Sequence, residues 1–258
     1  MRSPVGVIGG SGFYSLLEDP ERRAVATPYG DPSDELSVGV LADVPVVFLP
    51  RHGHDHRFPP HRVPYRANMW AMRRLGVRQV VSLSAVGSLR AELGPGALVV
   101  PDQLADRTYG RDSTYFDGIG SVQHASLADP YCPRGRAAAV ESGVEVTDGG
   151  ALVVINGPRF STRAESLDYQ ASGWSIIGMT GMPEAALARE LGLCYTNLAM
   201  VTDHDAGVEV GHGVTHEEVL ATFAANLPKL RELLVATLER LPSEPGDCAC
   251  GSTGFDVP

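Results

Sequence analysis

Seven residues able to handle an anion or a proton fall at or just beyond the ends of apolar runs. They are Ser11 in VGVIGGSG, Arg51 and His52 in VPVVFLPRHGH, Ser84 in VVSLSAVGS, Thr180 in SIIGMTG, and Asp203 with Asp205 in TNLAMVTDHD. Hydroxyls, a guanidinium and backbone N–H groups hold an oxyanion; carboxylates at the end of a buried strand hold a proton or accept from a polar ring. In an open α/β sheet, ligands sit beyond the carboxyl ends of the strands, so five such ends would converge on one site. Such a site is equipped to move an anionic reactant onto a neutral substrate whose leaving group must be protonated.

Taken singly, each motif has a second reading. GVIGGSGF has the glycine density of a phosphate loop but neither the Walker lysine nor the G-x-G-x-x-G spacing, and a tight turn leaving a strand explains it equally well. Such a turn does let backbone N–H groups and the Ser11 hydroxyl approach an anion unobstructed. RHGHDHRFPPH puts Arg51, His52, His54, His56 and His61 on one segment. Alternating histidines could share a zinc, and H-x-H-D-H is one residue short of the H-x-H-x-D-H pattern of metallo-β-lactamase-like hydrolases; a metal-dependent hydrolase is therefore the competing class. A solvated polar loop explains His54, His56 and Arg57 better than Arg51, which follows FLP directly and is placed to grip an oxyanion with both prongs of its guanidinium. Hydroxyls such as Ser84 and Thr180 gain weight by recurring at separate strand ends beside Arg51. VTDHDAG reads either as a solvated turn or as a general acid, a partly desolvated carboxyl holding a proton for a leaving group.

The elements that must position these residues are legible in the same runs. Residues 4–9, 36–41, 44–50, 78–84, 97–101, 151–156, 175–180 and 194–202 read as strands. Pro64 opens a helix with Met69, Met72 and Leu75 at helical spacing, and Pro183 opens another that Gly192 closes. Thr215-His-Glu-Glu218 has capping-box form and starts an amphipathic segment to Leu241, with Pro228 expected to kink or break it. Residues 102–133, rich in Asp, Gly, Tyr and Ser, read as one long surface excursion. The expected fold is a single α/β domain over 1–241, a central mixed twisted sheet flanked by helices, followed by a flexible tail over 242–258.

Composition narrows the classes. With 43% hydrophobic and 20% charged residues the chain is globular, and no apolar run approaches the ~18 residues of a spanning helix, so a cytoplasmic protein with no membrane partner is expected. A net charge of −10 argues against a nucleic-acid partner. Lys229 is the only lysine, which removes Schiff-base and P-loop mechanisms. Cys132 and Cys194 stand alone in sequence; Cys248 and Cys250 form a C-x-C pair in the tail that could cross-link or bind metal, with two free thiols the expected state.

In their order, IGGSGF, TPYGDPS, RHGHDH, VPYRANMWAMRRLG, AVGSLR, PDQLADRT, ADPYCP, GPRFSTRAES, MTGMPEAALARE and VTDHDAG resemble the trimeric methylthioadenosine and purine nucleoside phosphorylases, over nearly the whole chain. The resemblance implies phosphorolysis: a purine nucleoside and phosphate give a free purine and a pentose 1-phosphate, with phosphate as co-substrate and no metal or organic cofactor. It implies that Ser11, Arg51, His52, Ser84, the Ala85 backbone and Thr180 hold phosphate. Met179 would lie near the ribose, Phe160 and Ser161 beside the base, and Asp203, His204 and Asp205 at its polar edge, with Asp203 and Asp205 catalytic. His216 would face the 5′ substituent, and His124 would reach it from a neighbouring subunit of a homotrimer. Asp203 as an acceptor favours a 6-amino purine, hence methylthioadenosine. Gly178, where adenine-acting relatives usually carry asparagine, resembles the 6-oxopurine enzymes. His216, where relatives place an apolar residue, favours a 5′-hydroxyl; adenosine, inosine and methylthioinosine therefore stay open as substrates.

Overall fold

The computed structural model describes residues 2–10, 12–120, 122–208, 214–246 and 248–251. Its elements in chain order are β1 (Val5–Gly9), β2 (Glu21–Arg23), β3 (Leu36–Leu41), β4 (Val44–Pro50), α1 (Tyr65–Arg74), β5 (Gln79–Ser88), β6 (Leu98–Val100), β7 (Gln103–Arg107), α2 (Pro133–Val140), β8 (Thr147–Asp148), β9 (Ala151–Ile155), α3 (Arg163–Ala171), β10 (Ile176–Gly178), α4 (Gly181–Glu190), β11 (Cys194–His204) and α5 (His216–Arg240). The strands form one mixed sheet in the order β2-β3-β4-β1-β5-β10-β9-β7, from which β11 branches at β5 and carries β6 and β8.

Short runs of Val, Ile and Leu make strands buried on both faces, and alternation sends their side chains to opposite sides. Val5 and Val7 join Phe48, Leu83, Ala138 and, from α5, Phe223, Leu230 and Leu234. Ile8 points the other way, towards Leu49, Val80, Met69 and Met72 of α1, and Leu187 of α4. Helices α1 and α4 thus cover one face, and α2 and α5 the other. Thr215 and Glu218 cap α5 reciprocally, as their spacing predicts. Pro228 does not break α5: Leu230, Leu233, Leu234 and Leu238 beyond it are buried against the sheet and outweigh the backbone bond it forgoes. Among the described residues no helix is long and apolar enough to cross a membrane.

Several expected boundaries move. β5 runs past Ser84 to Ser88 because β11 pairs with it over its full length, and β11 itself reaches His204. The 175–180 run is a strand only over Ile176–Gly178, and Thr180 becomes the residue before α4. The excursion over 102–133 opens with β7, a largely polar edge strand paired in parallel with β9. β1, β4, β5 and β11 run parallel, but β10 is antiparallel to β5, so the expected set of five aligned carboxyl ends is four and one that arrives from the opposite direction.

The described part of the tail lies against the body. Gln79 Nε2 donates to the Pro242 carbonyl at 2.8 Å, and Ala249–Gly251 form a 3-10 turn with Cys250 buried. Cys132 and Cys194 do not stand alone. Their sulfurs and those of Cys248 and Cys250 all lie within 4.8 Å of one another.

Candidate active site

β5 has three neighbours, and their division of its two edges creates the site. β11 occupies one edge from Gln79 to Ser88. On the other edge β1 pairs only as far as Ser82, and β10 arrives only at Gly87. Residues 83–86 are left facing a gap. There a cavity of about 440 Å³ opens, lined by Gly10, Ser84, Ala85, Gly178 and Thr180 among others; this is the size of a small-molecule site.

Arg51 follows β4, and its amide donates to the Gly9 carbonyl at 2.9 Å, tying two strand ends together. Its side chain is 1% exposed, so its charge requires a partner. Glu184 of α4 is that partner, equally buried. Arg51 Nε donates to Glu184 Oε1, and Nη2 donates to Oε2 at 3.1 Å. The hydroxyls of Ser82 and Tyr195 also donate to Oε2, at 3.0 and 2.8 Å. Burial disfavours the Arg51 charge, but Glu184 outweighs it and holds the guanidinium above its ordinary pKa. The fork expected to grip an oxyanion is therefore closed on Glu184. Arg51 instead presents Nη1, which donates to the Leu83 carbonyl at 3.0 Å and lies so near Gly10 that a Cβ there would stand 3.1 Å from it.

His52 is buried with Nδ1 2.8 Å from the Phe58 carbonyl. That partner assigns the proton to Nδ1 and leaves Nε2 an acceptor. Burial, reinforced by the charge of Arg51, depresses its pKa to about 3, so the ring is neutral at physiological pH. Ser84 Oγ accepts from Asn197 Nδ2 at 2.8 Å, which turns its own hydrogen outward as a donor. Thr180 stands in the cap position of α4 without spending its hydroxyl on the helix, and it lines the cavity. Ser11 lies outside the described residues.

The opposite end is acidic. The register of β11 against β5 slips between Val201 and Asp203, a bulge of the kind that re-aims side chains. Asp203 and Asp205 line the cavity. Burial raises the pKa of Asp203, opposed by a 2.7 Å hydrogen bond from Thr202 Oγ1 and assisted by Asp205. Gly87 makes room for it: a Cβ there would come within 3.0 Å of Asp203 Oδ2. Burial raises Asp205 as well, against hydrogen bonds from Ser166 and the Ala206 amide. The Ser161 hydroxyl also acts on Asp205 to oppose that rise, and both residues line the cavity.

Between the two ends, Phe160, Met179, Ile155 and Ile177 supply apolar lining. On the far side His56 stacks on His52 with ring centroids 4.7 Å apart, His216 lies 6.5 Å from His56, and Val219 is beside them. His54 pairs instead with Asp34 at 2.6 Å, so the histidine loop does not offer three imidazoles to one point. His204, expected at the polar edge, is not among the lining residues, since alternation on β11 turns it from the side that its neighbouring aspartates share. His124 is exposed and lines no part of the cavity of a single chain. Sequence reasoning missed Glu184, Asn197 and Thr202. For Glu184 a signal existed: a guanidinium buried at a strand end demands a carboxylate, and Glu184 is the acid in the first turn of α4.

Residues 4–239 match the sequence profile of the phosphorylase superfamily. The chain belongs to this superfamily. It is 58% identical to the purine nucleoside phosphorylase of Streptomyces coelicolor over 98% of this chain and 94% of that protein. It is 56% identical to the S-methyl-5′-thioadenosine phosphorylase of Mycolicibacterium smegmatis over 93% and 92% of the two. Among solved structures, the methylthioadenosine phosphorylase of Schistosoma mansoni in complex with adenine superposes with a TM-score of 0.89 at 37% identity, covering 95% of this chain and 93% of that one. The phosphorylase is a pentosyltransferase of the nucleoside phosphorylase fold, which sets the metal-dependent hydrolase aside.

Proposed function

We propose that this chain cleaves S-methyl-5′-thioadenosine with phosphate, giving adenine and 5-methylthioribose 1-phosphate, and that it does so without a metal or organic cofactor. The two-ended cavity carries this reading: Arg51 Nη1, neutral His52, Ser84, the Ala85 backbone and Thr180 at one end, and Asp203, whose pKa burial raises, at the other. A phosphate oxygen bonds to C1′ as the C1′–N9 bond breaks and its electron pair passes to the purine. Phosphate stabilises the positive charge that grows on the sugar, and a proton from Asp203 to N7 neutralises the purine. His52 Nε2 accepts from the O–H of monohydrogen phosphate; the proton that phosphate loses on forming the ester returns through solvent to Asp203.

The carboxylates accept from a 6-amino group, whereas a 6-oxo group would set acceptor against acceptor, a mismatch worth ~10⁴-fold or more in favourable sites. Two observations favour a second reading, a 5′-hydroxyl or 6-oxopurine nucleoside: the imidazoles of His56 and His216 on one side of the cavity, and Gly178 on its wall. The chain acts as a cytoplasmic homotrimer in this reading, with His124 completing a neighbour's site; exposed Ile119 and Val122, within five positions of His124 in sequence, supply apolar surface for that contact. The test is base release from methylthioadenosine, adenosine and inosine, each with and without phosphate. Phosphate-dependent adenine release, fastest from methylthioadenosine, is expected. Hypoxanthine as the main product would overturn the substrate assignment.

A further inference from the structure

Cys132, Cys194, Cys248 and Cys250 come from three separate stretches of chain and converge on one point away from the cavity. Cys132 caps the amino terminus of α2, Cys194 opens β11, and the C-x-C pair arrives from the carboxyl-terminal segment. All four are free thiols; Cys132, Cys194 and Cys250 are buried and Cys248 is half-buried. Their sulfurs lie within 4.8 Å of one another, with Cys194 and Cys248 at 3.4 Å. Among the described residues this is the one cluster of three or more metal-ligating side chains.

We propose that these four cysteines hold a structural zinc ion that fastens the carboxyl-terminal segment to the body of the enzyme. Zn–S bonds of about 2.3 Å place the sulfurs of a tetrahedral centre about 3.8 Å apart, inside the range found here, so closure on the ion needs only small shifts. Four soft donors and a closed, protein-only coordination sphere suit zinc and not calcium or magnesium. The surroundings fit thiolate ligands: Cys132 stands in the N-cap position of α2, where the positive end of the helix dipole favours negative charge. The Cys132 amide donates to the Tyr195 carbonyl at 2.7 Å, which locks two of the three stretches before the third arrives. This ion takes no part in phosphorolysis, because none of the four cysteines lines the cavity.

The test is the metal content of the full-length protein purified under reducing conditions, by inductively coupled plasma mass spectrometry together with native and denatured intact mass. About one zinc per chain is expected, released when a mercurial titrates the thiols. Cys248→Ser and the Cys248→Ser/Cys250→Ser pair should lose the ion and melt at lower temperature while retaining phosphorolysis. If the pair does not fold, the wild-type native mass still decides, since it should carry one zinc and yield four alkylatable thiols after denaturation in chelator. A metal-free chain with four alkylatable thiols would overturn the proposal. So would a chain whose mass and missing thiols report disulfides, or zinc retained by the folded double variant.

Discussion

Glu184 neutralises Arg51 in the interior, with both side chains 1% exposed and Ser82 and Tyr195 donating to the same carboxylate. The pair comes from helix α4 and the end of β4, and it fixes Nη1 beside Gly10 at the mouth of the gap in β5. In the proposed reaction Glu184 is a positioning residue, setting where the Arg51 cation would meet phosphate.

Removing one partner of such a pair leaves a buried charge alone. Glu184→Gln should cost about 3–5 kcal/mol. At roughly 2–4 °C per kcal/mol for a chain of this size, the melting temperature should fall by about 6–20 °C. The KM for phosphate should rise more than that for nucleoside. Thermal melts and initial rates over a phosphate series check both, and an unchanged phosphate KM would show that Arg51 does not need Glu184 to serve the anion.

Asp203→Asn should abolish base release while leaving nucleoside binding largely intact, because it removes the transferable proton. Its effect on stability should have the opposite sign. Burial raises the folded-state pKa of Asp203 above its unfolded value, so protonation stabilises the fold below the unfolded pKa and that stability is lost as pH rises through the folded pKa. The asparagine variant should therefore melt higher than wild type at neutral pH, and the gain should vanish on acidification below the ordinary carboxylate range. Paired melts across pH, beside single-turnover rates, measure this; undiminished turnover would remove Asp203 from the role of acid.

With a pKa of about 3, His52 should remain neutral from pH 5 to 8. No imidazole titration near the ordinary 6.5 should appear in the pH dependence of phosphate KM. NMR of ring-labelled protein should find the His52 resonances fixed across that window, with protonation only in acid. Movement with a midpoint near 6.5 would contradict the buried, singly protonated ring.

Asn197→Ala frees the Ser84 oxygen from the hydrogen bond that Asn197 Nδ2 donates to it and lets the hydroxyl rotate. Loss of about 1–1.5 kcal/mol of oriented hydrogen bonding corresponds to ~10-fold in phosphate KM. The rate at saturating phosphate should change less. Equal losses in kcat and kcat/KM would instead point to a role in the transition state.

His216→Val should raise the kcat/KM ratio of methylthioadenosine to adenosine by ~10-fold, since an apolar residue beside Val219 favours the methylthio group over a hydroxyl. Competition of the two substrates in one reaction measures the ratio directly.

The strands and both ends of the site were legible because buried strands are short apolar runs, and anything polar at their ends stands out. Arg51, Ser84, Asp203 and Asp205, which the fold brings to one cavity, stand out this way. What escaped was pairing across the sequence. That Arg51 spends its fork on Glu184 depends on α4 crossing behind β4, and that His204 does not line the cavity depends on strand phase after the bulge at Thr202. Helix α3 was missed although Thr162 and Glu165 carry the same capping-box spacing that revealed α5. β7 was missed because an edge strand with charged residues lacks the apolar run of a central one. The four cysteines, scattered over more than a hundred positions, meet only once the fold is built.

The most direct measurement is ³¹P NMR of a reaction containing the purified chain, methylthioadenosine and phosphate, with adenine followed in parallel. A pentose 1-phosphate resonance should grow in step with adenine as free phosphate declines, and neither product should form without phosphate. Adenine released while phosphate stays constant would mean hydrolysis, and would contradict a site built to deliver phosphate to C1′.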